Sequence, residues 1–327
     1  MVRKDNFIQI TRVVSALGVF LVHFGQLLGL GGWLRNITDL GQYCLYFFFV
    51  ISGYLICNWN GENRKDWIKK KIIRLAPLYY AMLVFYMGVH HIVLKNVPPD
   101  PLHLGWLRFF TGINSLLPSE EPFWKSIHAL WYVSVVWIFY CIVCICWKKL
   151  KNLSIFSWYA IFVVTLALAL VIYKIDDNAS TSILCFFEYF VLGIIANKYT
   201  NGKHIIIVPL ISLVVLIVFM DWLTVNIMVA TVFSIIIIIF KNRFNCYPNK
   251  FIEKVINACD ECTYALFLVH PVFIDLVVPF LKMYSFNNVL IIIFSLILMI
   301  VVVLCAHYIY EKNIQKILFN ICNRKKE

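Results

Sequence analysis

The chain has 327 residues, of which 62% are hydrophobic and 14% charged. An ordinary soluble domain is about half apolar and a quarter charged, so this composition excludes one and implies an integral membrane protein. The formal net charge of +12 is read as the positive-inside rule in bulk rather than as a nucleic-acid-binding surface.

The first apolar segment, Phe7 to Leu30, reads FIQITRVVSALGVFLVHFGQLLGL. It is long enough to span a bilayer and too long for the h-region of a cleavable signal peptide, which is not expected here. It nevertheless carries Arg12 and His23. Ionisable groups inside a membrane helix are costly, and each is a functional-site hypothesis by default. Eleven residues at about 100° each come to roughly three turns, so both side chains share one face, about 16 Å apart along the axis.

Further spans are expected near 41–57, 76–95, 127–147, 154–173, 181–197, 204–220, 222–240, 258–279 and 285–310, from apolar runs bounded by charges, Pro and Gly. The fold class is therefore all-α and polytopic, with about ten transmembrane helices in a single domain over residues 1–327. With the N-terminus inside, one side holds only Arg35, Lys95, Arg108, Lys125, Lys174 and Lys282. Nearly all other Lys and Arg fall on the opposite side, which places both termini in the cytoplasm.

Along the chain, FFFVISGYLI at 47–56 puts small Ser52 and Gly53 in a span, where another backbone or a ligand can approach. The connection 58–75 is the densest basic patch and ends in KKKIIRLAP, with Pro77 expected in the first turn of the next helix. Lys71 and Arg74, three apart, share a helical face and suit either topology anchoring or a phosphate clamp. The connection 96–126 contains an apolar stretch around Trp106 and Phe110 that suits an interfacial or re-entrant helix roofing a cavity. His128, Trp131, Tyr132 and Ser134 open the fourth span. Glu188 lies within a later one, either paired with a basic group or orienting a histidine, since a buried carboxylate is costly alone. His270 precedes Pro271 in mid-span, where a local helix break is expected. Glu311, in YIYEKN, is a structural partner for the basic face. The pairs Cys141/Cys144 and Cys259/Cys262 lie in apolar surroundings, and no metal site is expected from them.

These residues resemble the integral-membrane acyltransferases of type 3, which O-acylate cell-surface glycans. Arg12 and His23 match the family's R-x10-H signature, and FFFVISGYLI resembles FFxxSGxLI. Lys71 to Tyr79 is similar to RxxR-x-x-P-x-Y, and Leu130 to Tyr140 to LWxLSxExxFY. Thr263 to Pro271 resembles SYxxYLxH, and Tyr308 to Glu311 the closing YxxxE-P region. The matches run in family order from residue 12 to 311. Lys71 departs from the first Arg, Val136 from a frequent Glu and Asn313 from a frequent Pro.

The resemblance implies a multi-pass inner (plasma) membrane enzyme, an O-acetyltransferase by default. Acyl-CoA, acetyl-CoA by default and succinyl-CoA next, would be the donor, with no permanently bound cofactor. The acceptor would be a hydroxyl of a cell-surface or lipid-linked glycan. His23 and Arg12 would be catalytic. Lys71, Arg74 and Arg12 would meet the donor phosphates. Ser52, Tyr54, Trp131, Ser134, Glu188 and His270 would form the substrate pocket. The lipid bilayer is the expected surrounding, and no nucleic-acid partner is expected. One rival reading is an exporter of a polysaccharide or its lipid-linked precursor, because intramembrane Arg, His and Glu also suit a substrate path. The other is a non-catalytic subunit of a glycan synthase.

Overall fold

The computed structural model describes residues 6–92, 104–116, 130–175, 182–198, 214, 222–240, 249–283 and 288–324. Among them there is no strand, and seven helices are long and apolar enough to cross a membrane. The protein is an all-α polytopic membrane protein. The exterior explains why: Val163, Val164, Leu168 and Val171, or Leu296, Ile297 and Ile300, are exposed apolar side chains. Helices apolar on their outer as well as inner faces are stable in lipid, not in water.

The elements run α1 (Asn6–Leu28), α2 (Gly32–Asp39), a 3-10 turn (Leu40–Tyr43), α3 (Cys44–Ile56), α4 (Arg64–Ile92) and α5 (Leu104–Thr111). Then follow α6 (Trp131–Leu150), α7 (Ile155–Ile175), a 3-10 turn (Ile183–Cys185), α8 (Phe187–Lys198), α9 (Trp222–Phe240) and α10 (Lys250–Met283). The chain ends in α11 (Asn288–Leu304), a π-helical segment (Cys305–Glu311) and α12 (Lys312–Arg324).

Several boundaries differ from the sequence expectation. The expected basic connection 58–75 is helical from Arg64, so Pro77 lies inside α4 rather than in its first turn. Lys and Arg are good helix formers, and a charged stretch can extend a span beyond the bilayer. The expected span 181–197 is the twelve-residue α8. At 1.5 Å per residue it is about 18 Å long, too short to cross the hydrocarbon core. Instead it is enclosed by protein, with residues 188–196 all buried. Of the expected span 204–220 only residue 214 is described, and His128 lies outside the described residues.

Two glycine contacts set the packing that holds the site. A Cβ on Gly53 of α3 would stand 1.9 Å from the Phe190 carbonyl oxygen of α8, and one on Gly193 would stand 1.9 Å from that of Val50. The two backbones therefore touch, as small residues allow in membrane proteins. A Cβ on Gly41 would lie 2.0 Å from the Gly18 oxygen, which ties the start of the α3 region to α1 in the same way.

Helix α10 continues through Pro271 and Pro279 instead of breaking. Proline lacks an N–H and disturbs the turn before it. Here Tyr86 of α4 reaches in: its hydroxyl donates to the Leu268 carbonyl at 3.1 Å and accepts from the Val272 N–H at 3.3 Å. The hydroxyl bridges the ladder beside the proline, so the helix stays continuous where His270 leaves it.

Candidate functional site

Between α1, α3, α4, α6 and α10 lies a cleft of about 790 Å³, partly open to the exterior. Its lining brings together Arg12, Ser52, Lys71 and Arg74 with Tyr132, Tyr140 and Tyr264. Four residues separated by up to 62 positions in sequence thus meet because α3 packs along α1 while α10 packs against both α1 and α4. Each cation has a separate support. The Arg12 guanidinium sits 3.2 Å from Asp260 of α10, and Gln9 donates to the same carboxylate at 3.4 Å. Lys71 Nζ lies 4.5 Å from the Tyr140 ring centroid and 5.3 Å from that of Trp67, a cation–π seat. Arg74 is exposed at the rim, and Glu311 acts on it electrostatically. Tyr140 is hydrogen-bonded with Ser52, and Tyr264 OH donates to the Leu75 carbonyl at 2.7 Å. Two carboxylates, Asp260 and Glu311, against three cations leave the cleft with a positive excess, suited to a polyanionic ligand such as a phosphate ester.

The π-helical segment turns two further groups inward. His307 Nδ1 lies 2.8 Å from Glu311 Oε2, and Gln315 donates to Glu311 Oε1 at 2.9 Å. Gln315 also donates to the Arg74 carbonyl at 3.2 Å. Glu311 is therefore clamped beside the basic face, in the structural position expected for it.

On the same side of α1 as Arg12, His23 meets His270. The rings are stacked, 5.3 Å between centroids and 26° between planes. His23 is exposed and hydrogen-bonded with Gln26. His270 is 1% exposed, and its Nδ1 lies 3.1 Å from the Leu266 carbonyl. A carbonyl only accepts, so Nδ1 carries the proton and Nε2 of the neutral ring presents a lone pair. That Nε2 is buried, and among the described residues it has no hydrogen-bond partner. The Phe267 ring, 5.7 Å from His270, also lines the cleft. One aromatic side chain thus stands between the cationic cleft and the imidazole pair.

A second, mostly apolar space of about 710 Å³ adjoins the cleft, lined by α4, α6 and the turn after α5. Leu75 and Val133 line both. α5 is the short helix expected in the 96–126 connection. Tyr79 OH donates to Phe109 O at 2.7 Å and Tyr80 OH to Phe110 O at 2.8 Å, so it packs across the α4 surface.

The other pocket candidates fall elsewhere. Ser134 borders the second space, and its hydroxyl is spent on the Gly112 carbonyl at 2.7 Å and on Ser115 at 2.8 Å. Trp131 packs on Phe186 at 4.8 Å between centroids and does not line the cleft. Tyr54 is buried in the core, and its carbonyl accepts from Asn197 at 3.0 Å. Glu188 is fully buried in the first turn of α8 near Tyr46, Tyr189 and Cys185. Among the described residues it has neither an ion pair nor a histidine partner, so neither expected role is seen there. The sequence reading missed Asp260, Tyr140 and Tyr264. Asp260 had a weaker signal than Glu188, because it lies beside Glu261 in the polar stretch EKVINACDEC, just ahead of the apolar part of its helix. The tyrosines had none, because aromatic residues are common in every span.

Residues 5–308 match the model of the acyltransferase domain family. The chain belongs to the acyltransferase 3 family. A search of curated proteins and one of solved structures return no significant match. As an acyltransferase, the protein has a transferable group to explain, and the cleft with its adjoining imidazole pair is the described region that joins anion-binding groups to a group able to accept a proton.

Proposed function

We propose that this acyltransferase moves an acyl group, acetyl at its smallest, from acyl-CoA to a hydroxyl of a cell-surface or lipid-linked glycan. The observation that carries the reading is the convergence of Arg12, Lys71 and Arg74 on one cleft beside the His23–His270 pair. CoA is a polyanion with its phosphates at one end and its thioester at the other. Arg12 and His23 stand about 16 Å apart along one helix face. A donor whose phosphates sit among the three cations directs its pantetheine arm and thioester toward the imidazoles.

In this reading the donor enters from the cytoplasm, the side with the basic connections, and the protein resides in the inner (plasma) membrane. His23 acts as general base on the acceptor hydroxyl. The hydroxyl oxygen bonds to the thioester carbonyl carbon, the C–S bond breaks, and the proton held by His23 returns to the CoA thiolate. General-base catalysis of this kind contributes about 10² to 10⁴ in rate. His270 orders the His23 ring by stacking, and Asp260 keeps Arg12 in the cleft. Ser52 and Tyr140 shape the cleft between the cations.

The test is mass spectrometry of surface glycans from cells lacking the protein and from cells complemented with wild type or His23→Ala. Loss of one fixed acyl mass, restored by wild type and not by the variant, is the expected result. Unchanged acylation with less glycan at the surface would replace the transferase reading with export.

A further inference from the structure

The space behind Leu75 and Val133 is unlike the cleft it adjoins. Ile72, Leu75, Ala76, Val133 and Trp137 make its apolar walls, and among the described residues no Lys, Arg, Asp or Glu lines it. The hydroxyls at its edges are already used. Tyr79, Tyr80, Thr111 and Ser134 each donate to a backbone carbonyl, at 2.7, 2.8, 2.6 and 2.7 Å. The turn at its end is rigidly built, since Gly112 has φ +67°, and its carbonyl takes the Ser134 bond. An acetyl group fills only a small part of this space.

We propose that this slot receives the acyl chain of the donor, and that the protein therefore selects neutral, apolar acyl groups longer than acetyl over carboxylated ones such as succinyl. The inference rests on the acyl-CoA reading above. Its support is continuity and complementarity. Leu75 and Val133 line both the slot and the cleft, and Tyr79 and Val133 of the slot pack in one core with Phe20, Phe24 and Val269 beside the imidazole pair, so the chain of a donor whose thioester lies at the imidazoles extends into the slot. Nothing in the slot lining compensates a second carboxylate, which would be desolvated there at considerable cost. Alkyl carbons lose water contact instead, worth roughly three- to fourfold in affinity per methylene fully buried.

The test measures binding of acetyl-, butanoyl-, octanoyl- and succinyl-CoA to the full-length protein in lipid nanodiscs. Affinity is expected to rise along the alkyl series, by at least about tenfold from acetyl to octanoyl, with succinyl-CoA no tighter than acetyl-CoA. Ala76→Phe fills the slot and is expected to remove the gain while leaving acetyl-CoA affinity in place. Ile72→Trp at the exposed rim repeats the measurement should Ala76→Phe disturb the fold. Equal affinity across the series overturns the inference, as does a gain that survives both substitutions, because the chain then lies in the bilayer. Binding of no CoA thioester at all would defeat the donor reading itself, a different result from flat chain-length dependence.

Discussion

The cationic cleft and the imidazole pair share one helix and differ in every other respect. The cleft draws on five helices, and two of its cations are visibly held: Arg12 by Asp260 and Lys71 by two aromatic faces. The imidazole pair draws on α1 and α10, is walled by Phe20 and Phe267, and leaves one buried ring nitrogen without a partner among the described residues. Satisfied charges at a rim bind a ligand of fixed charge. In the proposed function, the contrast divides the site into a half that binds the donor and a half that carries out the transfer.

The sharpest break of that division is His23→Ala. Transfer is expected to fall about 10²-fold or more while binding of the acyl-CoA donor, measured by calorimetry, stays within about twofold of wild type. A comparable loss of donor binding would merge the two halves. Next in size is Arg74→Ala, expected to raise the KM for acyl-CoA about tenfold to a hundredfold with kcat nearly unchanged, as for loss of a hydrogen bond to a charged group. A fall in kcat at constant KM would assign Arg74 to the chemistry instead. Asp260→Asn removes the charge that holds Arg12, and a smaller KM effect of a few-fold is expected. If Arg12 were idle, this variant and Arg12→Ala would both leave KM unchanged.

Two structural substitutions complete the set. Gly53→Ala forces a methyl group into the Phe190 carbonyl and is expected to cost about 3 kcal/mol or to prevent assembly, read as thermal stability in detergent. An unaffected protein would mean that α3 and α8 do not touch. Glu188→Gln is the smallest, expected within about 0.5 kcal/mol of wild type, because no cation among the described residues pairs with it. A clear loss of stability would reveal a charged partner.

Arg12 and His23 were legible in the sequence because ionisable groups in an apolar segment are conspicuous against their neighbours, and Lys71 and Arg74 because they close the densest basic patch three residues apart. So was the all-α membrane class, which composition and run length dictate. The expected role of Gly53 proved half right in a telling way. The small pair Ser52-Gly53 was read as one feature, yet Gly53 serves the contact with α8 while Ser52 faces the cleft. Adjacent residues on a helix point about 100° apart, so they meet different partners, and which partner lies on which side is a property of packing.

Other candidates lie away from the cationic cleft for the same reason. Trp131, Tyr54 and Ser134 occur in family-like segments, but their directions are set by Phe186, α8 and the turn after α5. The proline beside His270 carried a correct local expectation of strain, and its answer, the Tyr86 hydroxyl, comes from a residue 185 positions earlier in the chain. The sequence by itself determined the helices, the membrane environment and the candidate charges, since these depend on local composition and periodicity. Only the tertiary structure decided that Asp260 holds Arg12, that His23 stacks on His270, and that an apolar slot adjoins the cationic cleft. Those depend on which helix faces meet, and that is set by glycine contacts and core packing between segments distant in sequence.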